Sequence, residues 1–169
     1  MSEELLLEIK VTCDPALTVR GHTRDIVMIP FTGTASGPYF TGKIIGPGVD
    51  TQKVPKDGVP ALSARYMLEG TDNAGNACRI FIENEGNWGG EFRPNIVTDS
   101  PLLKDWETAP LRAAVEGIPG GVLVRVFKLV TGLFSRENFK SSKEEKLGLF
   151  APDPNQGDDP PGPATGEIT

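Results

Sequence analysis

The fold class is decided by residues 62–84, which read LSARYMLEGTDNAGNACRIFIEN. Two largely apolar runs, residues 62–69 and 78–84, flank a segment from Gly70 to Asn76. That segment is rich in glycine, asparagine and aspartate, the residues that tolerate the backbone conformations of tight turns. The stretch therefore predicts two antiparallel strands joined as a β-hairpin.

Similar runs continue on both sides of this hairpin. The apolar residues from Leu5 to Val11 alternate with charged ones, with Leu6 as the exception, and the run from Val122 to Val130 is rich in β-branched residues. Pro30 and the turn at 46–48 are expected to end two other strands, because proline is tolerated mainly at strand ends. The predicted strands cover residues 5–11, 26–29, 39–45, 62–69, 78–84, 92–97 and 122–130. About seven strands at this spacing predict an all-β sandwich or barrel.

Length and composition agree with one mainly β domain. The chain has 169 residues, enough for one ordinary core, and its 20 glycines and 15 prolines favour many short strands over long helices. One helical segment is predicted from Ser100 to Pro110, and a second helical turn over residues 111–115. We predict a β-barrel domain at residues 1–134, a polar extension at 135–150, and a disordered acidic tail rich in proline and glycine at 151–169.

The distribution of charge argues against several classes of partner. The net charge is −6, and the tail contains four acidic residues and no Lys or Arg, so the rest of the chain is nearly neutral. Without a basic stripe, nucleic acid is not expected as a partner. The N-terminus lacks the basic and apolar regions of a secretory signal, and no run is long enough for a membrane span. We therefore predict a cytoplasmic protein that does not bind membranes.

Four segments carry a family resemblance. They are GPYFTGKII at residues 37–45, GPGVDTQ at 46–52, ARY at 64–66 and IFIENEG at 80–86. In their order and spacing they resemble the family of domain of unknown function 3237. The resemblance implies a calycin-like or lipocalin-like antiparallel barrel, often paired as a homodimer, with no assigned activity. Near the last strand the family leads us to expect an aromatic-Trp-Leu-Asn pattern, whereas this chain has Asp105-Trp106-Glu107-Thr108.

Side chains that point into a barrel are the candidates for a site, because an eight-stranded barrel either fills its interior or holds one small ligand. On the two hairpin strands, one face carries Tyr66 and Asn84, and the opposite face carries Arg65 and Glu83. The first pair could orient a carbonyl or hydroxyl group. The second could form an ion pair, or Arg65 could hold a carboxylate. The sequence leaves open which face lines the interior.

A carboxylate follows the tight turn at residues 46–48. Asp50, with Gln52 two residues later, is expected near the rim of the barrel, where apolar neighbours would raise its pKa and suit it to proton transfer. The alternative is that Asp50 only caps its own turn. The predicted catalytic residues are Asp50, Arg65 and Tyr66. The predicted substrate-binding residues are Tyr39, Gln52, Glu83, Asn84 and Trp106.

Motifs for other chemistries are missing from the sequence. His22 is the only histidine, and Cys13 and Cys78 have no Cys-x-x-Cys spacing, so we predict no metal site and two unpaired, unreactive thiols. Neither a phosphate-binding loop nor a Gly-x-Ser-x-Gly motif occurs, so no cofactor and no hydrolase triad is predicted.

Three functions remain open. The first is a cofactor-independent enzyme that isomerises, cyclises or eliminates on a small, apolar, oxygenated metabolite. The second is a lipocalin-like carrier that binds such a molecule unchanged. The third is a structural dimer whose barrel is filled by side chains, which we would recognise by the lack of a cavity of about 300 Å³ or more.

Overall fold

The computed structural model describes residues 1–130. The predicted domain boundary at residue 134, the polar extension at 135–150 and the acidic tail at 151–169 lie outside the described residues. Within residues 1–130, no helix is both long enough and apolar enough to cross a membrane.

The described chain forms one antiparallel sheet of nine strands. The strands are β1 (Ser2–Cys13), β2 (Leu17–Arg20), β3 (Arg24–Ser36), β4 (Phe40–Pro55), β5 (Ala61–Asp72), β6 (Ala77–Asn87), β7 (Phe92–Thr98), β8 (Leu111–Ile118) and β9 (Gly121–Val130). Their order is β1-β9-β8-β7-β6-β5-β4-β3-β2, and β1 also pairs with β3. This second pairing closes eight strands into a barrel, and β2 adds a ninth strand alongside β3. The predicted mainly β class and the antiparallel barrel are confirmed.

Two strands are longer than the sequence predicted, because proline and glycine lie inside them. Pro30 does not end β3, which continues to Ser36; there β3 changes its partner from β2 to β1, so the missing N–H of proline is tolerated. The turn predicted at residues 46–48 is instead an irregularity within β4, where the register to β5 shifts between Ile45 and Val49. Asp50 therefore lies within a strand.

The segment after β7 differs from the helical prediction. A single 3-10 turn, Lys104–Glu107, replaces the longer helix expected between Ser100 and Pro110. Residues 111–115, predicted as a second helical turn, are part of β8 and pair with β9. Pairing with β9 overrides the helical tendency of the alanines in β8.

The two ends of the barrel differ. At the end where β5 finishes and β6 begins, called the closed end below, the 3-10 turn covers the opening and buries Leu103 and Trp106. A bulge in β1 turns both Leu6 and Leu7 into the core of this half. At the other end, called the open end, lie the connections β4–β5, β6–β7 and β8–β9. The core therefore fills the closed half of the barrel and leaves space towards the open end.

Candidate functional site

A cavity of about 190 Å³ lies inside the open end. Its wall is formed by Val11, Cys13, Ile29, Phe31, Asp50, Gln52, Leu62, Ala64, Tyr66, Asn84, Trp88, Phe92, Val115, Val122 and Val124. This volume is below about 300 Å³, so by size alone the barrel meets the criterion given above for a barrel filled by side chains, and it is too small for a drug-sized ligand. Apolar cavities of about 150 Å³ nevertheless bind benzene. The space matches one small ring.

The face of the hairpin that carries Tyr66 and Asn84 is the one that lines the interior. Tyr66 is 6 % exposed and Asn84 is 5 % exposed, and both contribute to the cavity wall. Closure of the sheet into a barrel decides which alternate residues point inward, because residues two apart along a strand point to the same side. Of the two alternatives that the sequence left open, the structure selects the one with a phenol and an amide inside.

Asp50 and Asn84 flank Ala64 in one row across three strands. Asp50 on β4 is paired in register with Ala64 on β5, and Ala64 is paired with Asn84 on β6. Neighbouring strands are about 4.8 Å apart, so the backbones of Asp50 and Asn84 are separated by about 10 Å. The small side chain of Ala64 leaves room between the carboxylate and the amide, and all three residues line the cavity.

The Asp50 carboxylate is in a mostly apolar setting with one polar neighbour. Burial raises the pKa of Asp50, and a hydrogen bond donated by Gln52 Nε2 to Asp50 Oδ2 at 2.8 Å opposes that rise. Gln52 thus holds one carboxylate oxygen in place. The raised pKa makes the Asp50 carboxylate a stronger base than that of an exposed aspartate, and it increases the fraction of Asp50 that is protonated at a given pH.

Two polar atoms in the cavity wall have no hydrogen-bond partner. Within residues 1–130, Tyr66 Oη and Asn84 Oδ1 are buried and unpaired. A third such atom, Ser63 Oγ, belongs to the outer face of β5 and does not line the cavity. Buried polar atoms are nearly always paired, because leaving one unpaired costs about 1–3 kcal/mol. Tyr66 and Asn84 both line the cavity, and a ligand that hydrogen-bonded to these two atoms would remove that cost.

The ring of Tyr66 is fixed by its neighbours. It packs edge-to-face against Phe31, with 5.4 Å between ring centroids and an interplanar angle of 71°. Gly48 lies beside both: a Cβ placed there would come within 2.4 Å of the Phe31 ring and 2.9 Å of Tyr66 Cβ. Gly48 is thus required so that the two rings can meet. Burial also raises the pKa of Tyr66, which keeps its hydroxyl protonated.

Arg65 and Glu83 are on the outside of the barrel. They form an ion pair with 2.5 Å between Arg65 Nε and Glu83 Oε2, and the Arg65 side chain is 66 % exposed. The structure does not bring them together with Asp50, because their neighbours Tyr66 and Asn84 take the inward positions. Arg65 instead borders a wide surface groove of about 870 Å³, which has acidic and basic residues along its walls.

Tyr39 and Trp106 lie at the closed end, apart from the other predicted substrate-binding residues. The Tyr39 hydroxyl donates a hydrogen bond to Glu4, and its ring packs edge-to-face against Trp106 at 6.2 Å. Trp106 is 5 % exposed and belongs to the core. In this position both residues close the barrel, and neither lines the cavity.

Trp88, Phe92 and Cys13 are among the eleven residues of the cavity wall that were not predicted from the sequence as site residues. Trp88 and Phe92 border the cavity from the β6–β7 connection and the start of β7, and Trp88 is 69 % exposed. The sequence Asn87-Trp88-Gly89-Gly90 resembles an ordinary turn, but an exposed tryptophan within it could have drawn attention to the site. Cys13, at the end of β1, is the third.

The two cysteines are unpaired, as predicted. The pKa of the Cys13 thiol is raised, first by burial and then by the nearby Asp50 and Asp14 carboxylates. Cys13 is therefore a protonated thiol beside the carboxylate. Within the described part of the chain, no three His, Cys, Asp or Glu side chains are grouped so that they could hold a metal ion.

The model of the family DUF3237, a family of unknown function, matches residues 1–95, which is more than half of the chain. The chain belongs to this family. The DUF3237 match includes β1–β6, and with them Asp50, Gln52, Tyr66 and Asn84. The resemblance inferred from the sequence is confirmed, and the polar residues of the cavity fall inside the region that the family model matches.

A curated sequence and a crystal structure from Clostridium acetobutylicum are similar to this DUF3237 chain. A UPF0311 protein is 37 % identical over 91 residues, which are 51 % of this chain and 54 % of the relative, so the match spans about half the length of that relative. The crystal structure of a protein with unknown function from strain ATCC 824 has a TM-score of 0.67 and 26 % identity, covering 77 % of this chain and 97 % of that one.

The crystal structure of an enzyme from Penicillium herquei shares the fold. Its TM-score is 0.60 at 15 % identity, and the match covers 75 % of this chain and 94 % of the fungal chain. At this identity the likeness concerns the fold alone.

Proposed function

We propose that this protein is a cofactor-independent barrel enzyme that moves a proton on a small, largely apolar, oxygenated molecule. The reaction class is isomerisation, cyclisation or elimination. The observation that carries the proposal is the row in the cavity wall, where the Asp50 carboxylate, whose pKa is raised, lies across Ala64 from Asn84. The amide oxygen of Asn84 and the nearby phenol of Tyr66 have no hydrogen-bond partner among residues 1–130. The fungal protein of the same fold, which is described as an enzyme, is consistent with it.

Each polar residue has a distinct part in this proposal. The Asp50 carboxylate takes a proton from a carbon or hydroxyl of the substrate, and the electron pair left behind moves towards an oxygen of the substrate. Tyr66 donates a hydrogen bond to that oxygen, and Asn84 Oδ1 accepts one from the substrate. Protonated Asp50 then returns its proton at another position, or to a leaving hydroxyl group that departs as water. Gln52 acts as a positioning residue through its bond to Asp50.

Proton exchange on a simple ketone tests the proposal. 4-Hydroxycyclohexanone is a neutral one-ring compound that has a hydroxyl for Asn84 and a carbonyl group, and its α-protons exchange with deuterium when a base removes them. In D2O at neutral pH, we expect the protein to exchange these protons at least about tenfold faster than Asp50→Asn does, measured by mass spectrometry. This factor is smaller than the typical rate enhancement of a general base, about 100-fold or more. Asp57→Asn is the matched control, because Asp57 is exposed in the β4–β5 connection and away from the cavity. Equal exchange with Asp50→Asn would remove Asp50 from the mechanism.

A carrier is the second candidate, and the mostly apolar cavity wall favours it. A lipocalin-like binding protein would take up a small molecule and release it unchanged. Ligand-observed NMR on the same samples separates the two functions: saturation transfer to 4-hydroxycyclohexanone without deuterium exchange indicates a carrier. A cytoplasmic homodimer is the assembly that we propose for either function, and sedimentation at micromolar concentration tests it.

A further inference from the structure

We infer that the cavity selects a neutral, hydroxyl-bearing ring and rejects its carboxylate analogue. This inference concerns the substrate class and rests on the proposed function only in that both use the same cavity. It is derived from three properties of the cavity wall: the unpaired acceptor, the unpaired phenol, and the charge of the lining residues.

The acceptor sets the first requirement. Asn84 Oδ1 is buried and unpaired within residues 1–130, and a carbonyl oxygen can only accept a hydrogen bond. A ligand that satisfies it must therefore bring a donor. An ether, a ketone without a hydroxyl, or a hydrocarbon would leave this atom unpaired and would bind less tightly.

The phenol sets the second requirement. Tyr66 Oη is also buried and unpaired, and its ring is held by Phe31 so that the hydroxyl keeps its position. A protonated phenol can donate to an oxygen of the ligand. A hydroxyl group both donates and accepts, so it is the simplest group that suits the two atoms together.

Charge sets the third requirement. Among the lining residues within 1–130, Asp50 is the one charged side chain, and no Lys or Arg is present. A carboxylate ligand would lose its hydration without gaining a cation and would be repelled by Asp50. The basic residues Arg65 and Lys53 lie at the outer groove, where they cannot neutralise a buried anion.

Size sets the last requirement. With about 190 Å³, the cavity holds one six-membered ring, while larger groups would extend past Trp88 towards solvent. The ligand class is therefore a phenol or cyclic alcohol, alone or as the terminal ring of a larger molecule.

Four fluorinated probes test this selection with a single readout. 4-Fluorophenol, 4-fluoroanisole, 4-fluorotoluene and 4-fluorobenzoate share one ring and differ in the group that meets the polar atoms. Line broadening in fluorine NMR at pH 7 gives the dissociation constant of each. We expect 4-fluorophenol to bind about five- to tenfold more tightly than the anisole and the toluene, the size of one or two net hydrogen bonds, and 4-fluorobenzoate to bind most weakly.

Variants connect the selection to named atoms. In Asn84→Leu the advantage of 4-fluorophenol over 4-fluorotoluene should fall to less than about twofold, and in Tyr66→Phe it should fall part of the way. Tyr66→Phe keeps the ring and so remains available if Asn84→Leu does not fold. In Ala64→Leu the new side chain would occupy the space between Asp50 and Asn84, and all four probes should lose binding.

Several results would overturn the inference. They are equal affinity for the three neutral probes, preference for 4-fluorobenzoate, a phenol advantage that survives in both polar variants, unchanged binding in Ala64→Leu, or no binding of any probe at 10 millimolar. Failure of the proposed reaction gives a different result: 4-fluorophenol would keep its advantage while 4-hydroxycyclohexanone shows no exchange that depends on Asp50.

Discussion

Replacing Tyr66 with phenylalanine should make the protein more stable. The substitution removes one buried hydroxyl that has no hydrogen-bond partner within residues 1–130, and it keeps the ring that packs against Phe31. Ring packing, and the space that Gly48 leaves for it, are unchanged. The effect on the free energy of unfolding therefore comes from the hydroxyl alone.

The expected size follows from the cost of an unpaired buried group. That cost is about 1–3 kcal/mol, and the small void left where the hydroxyl was offsets part of it, so we expect a gain of about 1–2 kcal/mol for Tyr66→Phe. For a barrel of this length the gain corresponds to a rise in melting temperature of about 4–8 °C. Thermal unfolding followed by circular dichroism, together with urea titration, measures both quantities.

The other tyrosine provides the matched control. The Tyr39 hydroxyl donates a hydrogen bond to Glu4, so Tyr39→Phe removes a bond that is made and should lower the melting temperature. Opposite signs for the two variants are the signature of the proposed site. If Tyr66→Phe lowers the melting temperature as Tyr39→Phe does, the Tyr66 hydroxyl is already satisfied in the free protein, and its availability to a ligand is refuted.

Three further predictions concern the same end of the barrel. Burial raises the pKa of Asp50 in the folded protein, so ionising Asp50 lowers stability as the pH rises from the ordinary pKa of 3.8 to the folded one. In urea unfolding, Asp50→Asn should therefore be more stable than the native protein at pH 8 and equally stable at pH 3. An equal gain at both pH values would contradict this. Gly48→Ala should cost about 1–3 kcal/mol because the new Cβ would meet the Phe31 ring, whereas Gly117→Ala, which has open space around it, should change stability by less than about 0.5 kcal/mol. If the two variants lose similar stability, the Phe31 ring must move aside for the new Cβ. Cys13 should react with iodoacetamide at pH 7 at least about tenfold more slowly in the folded than in the unfolded protein, and saturating 4-fluorophenol should slow the reaction further. Peptide mapping by mass spectrometry measures the rate of alkylation, and equal rates in the folded and unfolded protein would contradict the prediction.

The class of fold could be predicted from the sequence because its main signals are local. Alternation in β1, β-branched residues in β9 and turn residues between β5 and β6 each indicate strands within a few positions. Strand ends were harder to predict. Pro30 and the glycines at 46–48 resemble terminators, but pairing with distant strands carries β3 and β4 through them.

The site could be predicted only in part, because it depends on which face of each strand turns inward. Alternation placed Tyr66 with Asn84 and Arg65 with Glu83, but the choice between the pairs follows from the closure of β1 onto β3. Tyr39 and Trp106 are aromatic and near predicted turns, yet the chain path brings them to the closed end. Trp88 reaches the cavity through the β6–β7 connection, which local sequence does not position.

The contrast between the two ends of the barrel argues that function resides at the open one. At the closed end, buried Asp72 accepts hydrogen bonds from the backbone of Ala74 and Asn76 and from Ser100 Oγ at 2.9 Å. Burial alone would raise the pKa of Asp72, but these bonds outweigh it and hold the pKa below its usual value. Polar groups buried for structural reasons are thus paired by the chain itself.

At the open end no residue among 1–130 pairs with Tyr66 Oη or Asn84 Oδ1, which are buried as deeply as Asp72, although an apolar side chain at either position would avoid the cost. Proteins that carry such a cost commonly do so at sites where activity and stability compete. A variant in which both residues are apolar should therefore be more stable than the native barrel and unable to distinguish 4-fluorophenol from 4-fluorotoluene. Gain of stability without loss of this discrimination would separate the two unpaired atoms from any role in ligand binding.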